Sequence, residues 1–89
     1  MNYLRWVKET ASNVVNMNAF KAKIQHKKFK EVEQELREMG MTITRLANTD
    51  EYRVNYKHGR EATAYYTDDL MDAALTGYAM SLLDNPYQS

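Results

Sequence analysis

Three carboxylates stand close together in "TDDLMDAA", residues 67 to 74: Asp68, Asp69 and Asp72. Asp68 and Asp72 are one helical turn apart, so on a helix they could offer two oxygen ligands to a hard cation such as Mg²⁺. Octahedral coordination needs more partners or a bound phosphate, and the sequence indicates none. The alternative is the start of a helix. Thr67 is placed to act as N-cap, which puts Asp68 and Asp69 in the first turn, where free backbone N–H groups and the positive dipole end favour anions. Capping is the favoured reading, so neither a metal nor a cofactor is expected.

Other reactive groups are scattered. His26 lies in "KIQHKKF" and His58 in "KHGR", each without an Asp or Ser partner at a readable spacing, so both read as surface residues. There is no cysteine, and Gly40, Gly59 and Gly77 are isolated, which leaves no thiolate chemistry and no phosphate-binding loop. The chain is not expected to be an enzyme.

The densest chemical signal is "FKAKIQHKKFK". On one helix Lys23, Lys27 and Lys30 lie along one side and Lys21 and Lys28 approach from another, flanking Phe20, Ile24 and Phe29 with positive charge. Such a surface could meet phosphates. Nucleic-acid binders usually add Arg, an aromatic platform and a positive balance, whereas here five Lys stand without Arg in a chain of zero net charge. A solvated helix face is the plainer reading.

Charge is nevertheless uneven. Residues 1 to 30 hold seven cations against Glu9 alone, and residues 31 to 89 hold eleven acids against five cations. The surplus of +6 in the first part and −6 in the second fits either a basic strip for an external anion or two halves that attract each other, and the second is favoured because a small domain folds its halves together. A length of 89 residues allows one domain, read as 1–84 with a short tail at 85–89 after Pro86. No apolar run approaches the roughly 20 residues that span a bilayer, and "MNYLRWVKETASNVV" lacks a signal peptide's apolar stretch, so a cytoplasmic protein without membrane contact is expected.

The elements follow from hydrophobic spacing. Leu4, Val7, Ala11 and Val14, with Trp6 beside them, predict a first helix that ends or bends in the Asn-rich "SNVVNMN". From Ala19 the apolar turns are Phe20, Ile24, Phe29, Val32, Leu36 and Met39; the last four keep helical spacing up to Gly40, a C-terminal left-handed residue. The period then becomes two: "MTITRL", "EYRVNY" and "EATAYY" read as three antiparallel strands joined by "ANTD" and "KHGR". A three-residue loop of Lys57, His58 and Gly59, with Gly59 left-handed, pairs Tyr56 with Arg60. That register puts Tyr52, Val54, Tyr56, Ala62, Ala64 and Tyr66 on the core face and Arg53, Asn55, Glu61, Thr63 and Tyr65 outside. Tyr65 and Arg53 together on an open face are the composition of a protein interface. A last helix carries Met71, Leu75, Tyr78 and Leu82 on one stripe and Leu70, Ala74, Gly77 and Ser81 on the next. The fold class is α+β, ordered α-α-β-β-β-α, a three-stranded antiparallel sheet with helices packed on one face.

The segment "EYRVNYKHGREATAYYTDDLMDAALTGYAM", residues 51 to 80 and about a third of the chain, resembles the strand-hairpin-strand-helix end of small proteins encoded by bacteriophages and other mobile elements. Small size, absence of cysteine and a compact α+β form are also similar to anti-CRISPR and other counter-defence proteins of phages. The resemblance implies a non-enzymatic inhibitor or modulator that binds a host protein or nucleoprotein complex stoichiometrically in the host cytoplasm; the zero net charge departs from the strongly acidic DNA mimics in that class. That class has no shared site pattern and carries no residues over; on the charge pattern and the open sheet face, the contact would be made by Lys21, Lys23, Lys27, Lys28 and Lys30, or by Arg53 and Tyr65. Two other readings stay open: a nucleic-acid-binding accessory protein using the same lysines, and a self-associating structural protein that dimerises through the last helix.

Overall fold

The apolar spacing changes step between Ile24 and Phe29, five residues apart, and the backbone breaks there. The computed structural model of the chain describes residues 17–83 and 85–87, so the helix expected over Leu4 to Val14 lies outside the described residues. The two helices before the sheet are α1, Met17–Ile24, and α2, Phe29–Glu38. Between them Lys27 N–H bonds back to the Ile24 carbonyl at 3.0 Å, and Lys28 is extended (φ −82°, ψ 166°). The Glu31 carboxylate accepts the Lys28 N–H at 3.1 Å, one half of a capping box, and α2 restarts in a new direction. Its end is as expected: Gly40 is left-handed at φ 80°.

Three strands and a helix follow: β1, Met41–Arg45; β2, Tyr52–Tyr56; β3, Tyr65–Thr67; and α3, Leu70–Ser81. The sheet is antiparallel in the order β1-β2-β3, and the whole is the α+β arrangement α-α-β-β-β-α. The first hairpin uses the loop the sequence marks. Arg45 pairs with Tyr52, Leu46 N–H reaches the Glu51 carbonyl at 2.8 Å, and Asp50 takes the left-handed position at φ 55°.

One face of the sheet is sealed. Met41 and Ile43 of β1 and Val54 and Tyr56 of β2 are buried with Val32 and Leu36 of α2 and Ala73, Ala74, Ala79 and Met80 of α3. The small side chains of α3 let its backbone approach closely: a Cβ on Gly77 would stand 2.9 Å from Leu36 Cδ2 and 3.3 Å from Val54 Cγ1. The larger stripe is therefore lateral, with Met71, Leu75 and Tyr78 half-buried and Leu82 exposed. Tyr78 stacks on Phe20 of α1 with ring centroids 4.3 Å apart, and Phe29 stacks on Tyr52 at 5.7 Å. At the far end of α3 the Tyr56 hydroxyl donates to the Met80 carbonyl at 3.1 Å, satisfying one of the terminal acceptors a helix leaves open.

The second hairpin corrects the expected register. Observed pairs are Tyr52 with Thr67, Arg53 with Tyr66 and Val54 with Tyr65, three residues away from the pairing of Tyr56 with Arg60. An odd shift turns every side chain of a strand to the other face. Tyr65 therefore points to the core side, where its hydroxyl donates to Asp72 Oδ2 at 2.5 Å, and Tyr66 takes the outer place beside Arg53. Ala62, expected in the core, is exposed, and Glu61–Thr63 form a 3₁₀ turn instead of a strand.

The cause is Asn55, 1% exposed on the outer side of β2. Its Oδ1 accepts from Tyr56 N–H at 2.8 Å and from Thr63 Oγ1 at 2.7 Å, and its Nδ2 donates to the Arg60 carbonyl at 2.9 Å. Taking the Tyr56 N–H ends the ladder, and holding Arg60 and Thr63 curls the chain over the side chain. Gly59 is needed for space, since a Cβ there would lie 2.4 Å from Asn55 Oδ1; the left-handed residue is His58, at φ 64°. The tail is held here too. The Tyr87 hydroxyl donates to Thr63 Oγ1 at 3.0 Å, and the Tyr87 ring lies 6.4 Å from that of Tyr56.

Among the described residues the hydroxyl of Thr76, 1% exposed, is the one buried side-chain group without a hydrogen-bond partner. A buried hydroxyl without a partner opposes folding, whereas an isosteric methyl does not. Thr76→Val is expected to be neutral or to stabilise by about 1 kcal/mol, and Gly77→Val to destabilise by roughly 1–3 kcal/mol through overpacking, both read from urea unfolding midpoints.

Candidate functional site

Two surfaces collect polar side chains, and they differ in how far their charges are already spent. On the outer sheet face, Arg53 Nε and Nη2 lie 3.0 and 2.9 Å from Glu61 Oε1. The Tyr66 hydroxyl donates to Glu61 Oε2 at 2.7 Å and receives Arg53 Nε at 3.3 Å. Glu61 is held below the usual carboxylate range, first by the Tyr66 hydroxyl and then by the Arg53 guanidinium. Partial burial pulls the Arg53 value down, and the bonds from Tyr66 and Glu61 outweigh it to raise it. This cluster is closed on itself. Sequence spacing names Arg53 but picks Tyr65 where the fold uses Tyr66, and it misses Glu61 as the partner. The missed signal is Asn55, a poor strand former in the middle of "YRVNY", which marks a strand end rather than an outward-facing residue.

The acidic trio resolves into separate roles. Asp69, not Thr67, caps α3, its Oδ1 accepting from Met71 N–H at 2.9 Å and Asp72 N–H at 3.4 Å, a cap contributing about 1 kcal/mol. Thr67 Oγ1 supports it by accepting the Asp69 N–H at 3.2 Å. Asp72 takes the Tyr65 hydroxyl, and Asp68 is exposed. Among the described residues no three His, Asp or Glu side chains are grouped so as to hold a metal ion. His26 and His58 are both exposed.

The lysines are placed by the break between α1 and α2. Lys21 and Lys23 project from α1, Lys27 and Lys28 lie in the connection, and Lys30 is in the first turn of α2, so the single helical side expected for Lys23, Lys27 and Lys30 does not form. Lys23 pairs with Glu35 at 3.0 Å and ties the two helices together. Among the described residues no carboxylate lies within ion-pair distance of Lys21, Lys27, Lys28 or Lys30. Lys27 is half-buried and lines a hollow of about 200 Å³ with Ile24, Gln25, Val32, Leu70 and Met71. The five lysines between residues 21 and 30 thus lie on the second half of α1, the connection and the first turn of α2, and Lys27 stands with Leu70 and Met71 of α3 on the lining of the hollow.

No family model, curated protein or solved structure matches this chain. Its own geometry carries the functional reading. Among the described residues no helix is long and apolar enough to cross a membrane. The surface with uncommitted charge is the lysine end, and the surface with committed charge is the outer sheet face.

The committed cluster has a pH consequence. Because the folded-state pKa of Glu61 lies below its unfolded value, its contribution to stability is present above the unfolded value and is lost as pH falls through the folded one. Urea unfolding measured from neutral to acid pH should show a loss of stability that is smaller in Glu61→Gln and reduced in Tyr66→Phe; an unchanged pH profile in Glu61→Gln would contradict the assignment.

Proposed function

We propose that the protein is a non-enzymatic binding protein that attaches stoichiometrically to a host nucleoprotein complex, in the manner of phage counter-defence inhibitors, and that the lysine end makes the contact. The observation that carries this reading is the set of four lysines, Lys21, Lys27, Lys28 and Lys30, that find no ion-pair partner among the described residues while Lys23 is neutralised by Glu35. Unpaired cations on one end attract an anionic surface, raise the rate of encounter and select against basic partners.

The field suits a protein surface better than a bare phosphate backbone. Glu31, Glu33, Glu35 and Glu38 lie on α2 immediately behind the lysines, so the positive strip is short and bounded by acids. A duplex tracking along it would meet those carboxylates within a Debye length of roughly 8–10 Å. A discrete acidic patch on a protein would not. The resemblance of residues 51 to 80 to phage-encoded proteins supports placing that partner in the defence machinery of a bacterial host.

The test is affinity capture of nucleoprotein from a bacterial lysate on the immobilised chain, before and after nuclease digestion. A nucleoprotein component should be retained at fixed stoichiometry and survive digestion. At roughly 0.5 kcal/mol for each exposed charge pair, replacing Lys21, Lys27, Lys28 and Lys30 by Ser should weaken that association about thirtyfold. Loss of the retained component on digestion, or retention unchanged in the four-lysine variant, would overturn the proposal.

A further inference from the structure

The chain between β2 and β3 is held by side chains rather than by a ladder. Among the described residues the backbone of 58–64 has one hydrogen bond to the sheet, from Gly59 N–H to the Tyr56 carbonyl at 2.8 Å. Thr63 N–H and Ala64 N–H bond within the segment, to the carbonyls of Arg60 and Glu61. None of its residues belongs to the apolar core or packs on that core as a half-buried apolar side chain. His58 adds strain, because its left-handed backbone at φ 64° is uncommon outside glycine.

Polar side chains close it from three directions. Beneath, Asn55 holds the Arg60 carbonyl and the Thr63 hydroxyl. From the tail, the Tyr87 hydroxyl donates to Thr63 Oγ1 at 3.0 Å, and the bond from Tyr87 N–H to Asn85 Oδ1 at 2.8 Å fixes the backbone that presents the ring. From the outer sheet face, Arg53 and Tyr66 grip the Glu61 carboxylate. Thr63 is the junction of the first two, so the Asn55 and Tyr87 bonds reinforce each other. A segment fastened in this way, with little apolar surface to expose, opens locally at a smaller free energy than the whole fold.

We propose that residues 58–64 form a flap that opens as a unit while the helices and the β1–β2 ladder stay folded, and that Tyr87 is the strap that holds it shut. The fixed points on either side are Lys57, whose N–H stays on the Gly40 carbonyl at 3.0 Å, and Tyr65, which pairs with Val54. Opening draws Glu61 away from Arg53 and Tyr66 and leaves that pair bare on the outer sheet face; closing neutralises it again. Glu61 is thus an intramolecular blocker of the Arg53–Tyr66 pair, and the strap sets how often the block is lifted. The lysine end takes no part, so the flap stands or falls apart from the contact surface proposed above.

The test is amide hydrogen exchange of the full chain, followed by NMR at several low urea concentrations. Gly59, Thr63 and Ala64 N–H groups should exchange through an opening with weak urea dependence, since a single turn cut loose from the fold does not persist in water. Gly77 and Met80 of α3 should exchange with the steep dependence of global unfolding. Tyr87→Phe removes the strap's hydroxyl and keeps its ring, and should speed the three flap amides about fivefold, the equilibrium change made by one hydrogen bond. Glu61→Gln, which takes the charge from the outer latch, should speed them as well. Leu75→Ala in α3 weakens the closed and open forms alike, so it should speed Gly77 and Met80 and leave the flap amides unchanged. Flap amides that share the urea dependence of Gly77 and Met80, that keep their rates in Tyr87→Phe or Glu61→Gln, or that accelerate in step with α3 in Leu75→Ala would overturn the proposal.

Discussion

At Gly77 three elements meet with no side chain between them. The α3 backbone lies against Leu36 of α2 and Val54 of β2 so closely that even a methyl group would stand 2.9 Å from Leu36 Cδ2. This contact fixes how α3 sits on the sheet and how α2 sits beside α3. Its effect reaches the surface. Val32 is one turn before Leu36, and Leu70 and Met71 are about two turns before Gly77, so helices locked together at their middles bring their first turns to the same place. Before Val32 the first turn of α2 sends Phe29 onto Tyr52, and Lys28 is extended where the chain turns back into α1. The hollow lies between these first turns, with Ile24 and Gln25 completing its lining.

Asn55 plays the corresponding part on the other face. A hydrogen-bonded amide buried in a sheet is stable only if its donors and acceptor are satisfied, and here backbone and Thr63 groups from the following loop supply the partners. Satisfying it lengthens the connection to residues 57–64 and ends the β2–β3 ladder at Val54. Everything outside then follows: Tyr66 stands by Arg53, Glu61 comes within reach of both, and Tyr65 is turned inward to Asp72.

This explains which parts of the fold were legible in the sequence. Element type was readable because it depends on local period: Phe29 to Met39 at helical spacing, "MTITRL" and "YRVNY" at period two, and Gly40 as a helix end. The β3 register was not, because alternation in "EATAYY" fits either face equally and the choice was made by one long-range amide. The α3 start was misplaced from Thr67 to Asp69 by the same kind of ambiguity, since Thr and Asp are both good caps and only the end of β3 decides between them. The helix break at Gln25–Lys28 corresponds to the five-residue step from Ile24 to Phe29, which separates Lys21 and Lys23 on α1 from Lys30 on α2.

The uneven charge along the chain is resolved in an asymmetric way. Arg37 pairs with Glu33, Arg45 with Asp50 and Arg53 with Glu61, so three of the four described arginines in the acidic part of the chain, all but Arg60, are paired with acids from that same part. Attraction between the two parts is realised in one described bridge, Lys23 with Glu35. Guanidinium groups hold carboxylates in fixed planar geometry, whereas an ammonium on a four-carbon stem is a mobile point charge. Arginine thus organises the fold's own surface, whereas Lys21, Lys27, Lys28 and Lys30 have no carboxylate within ion-pair distance among the described residues.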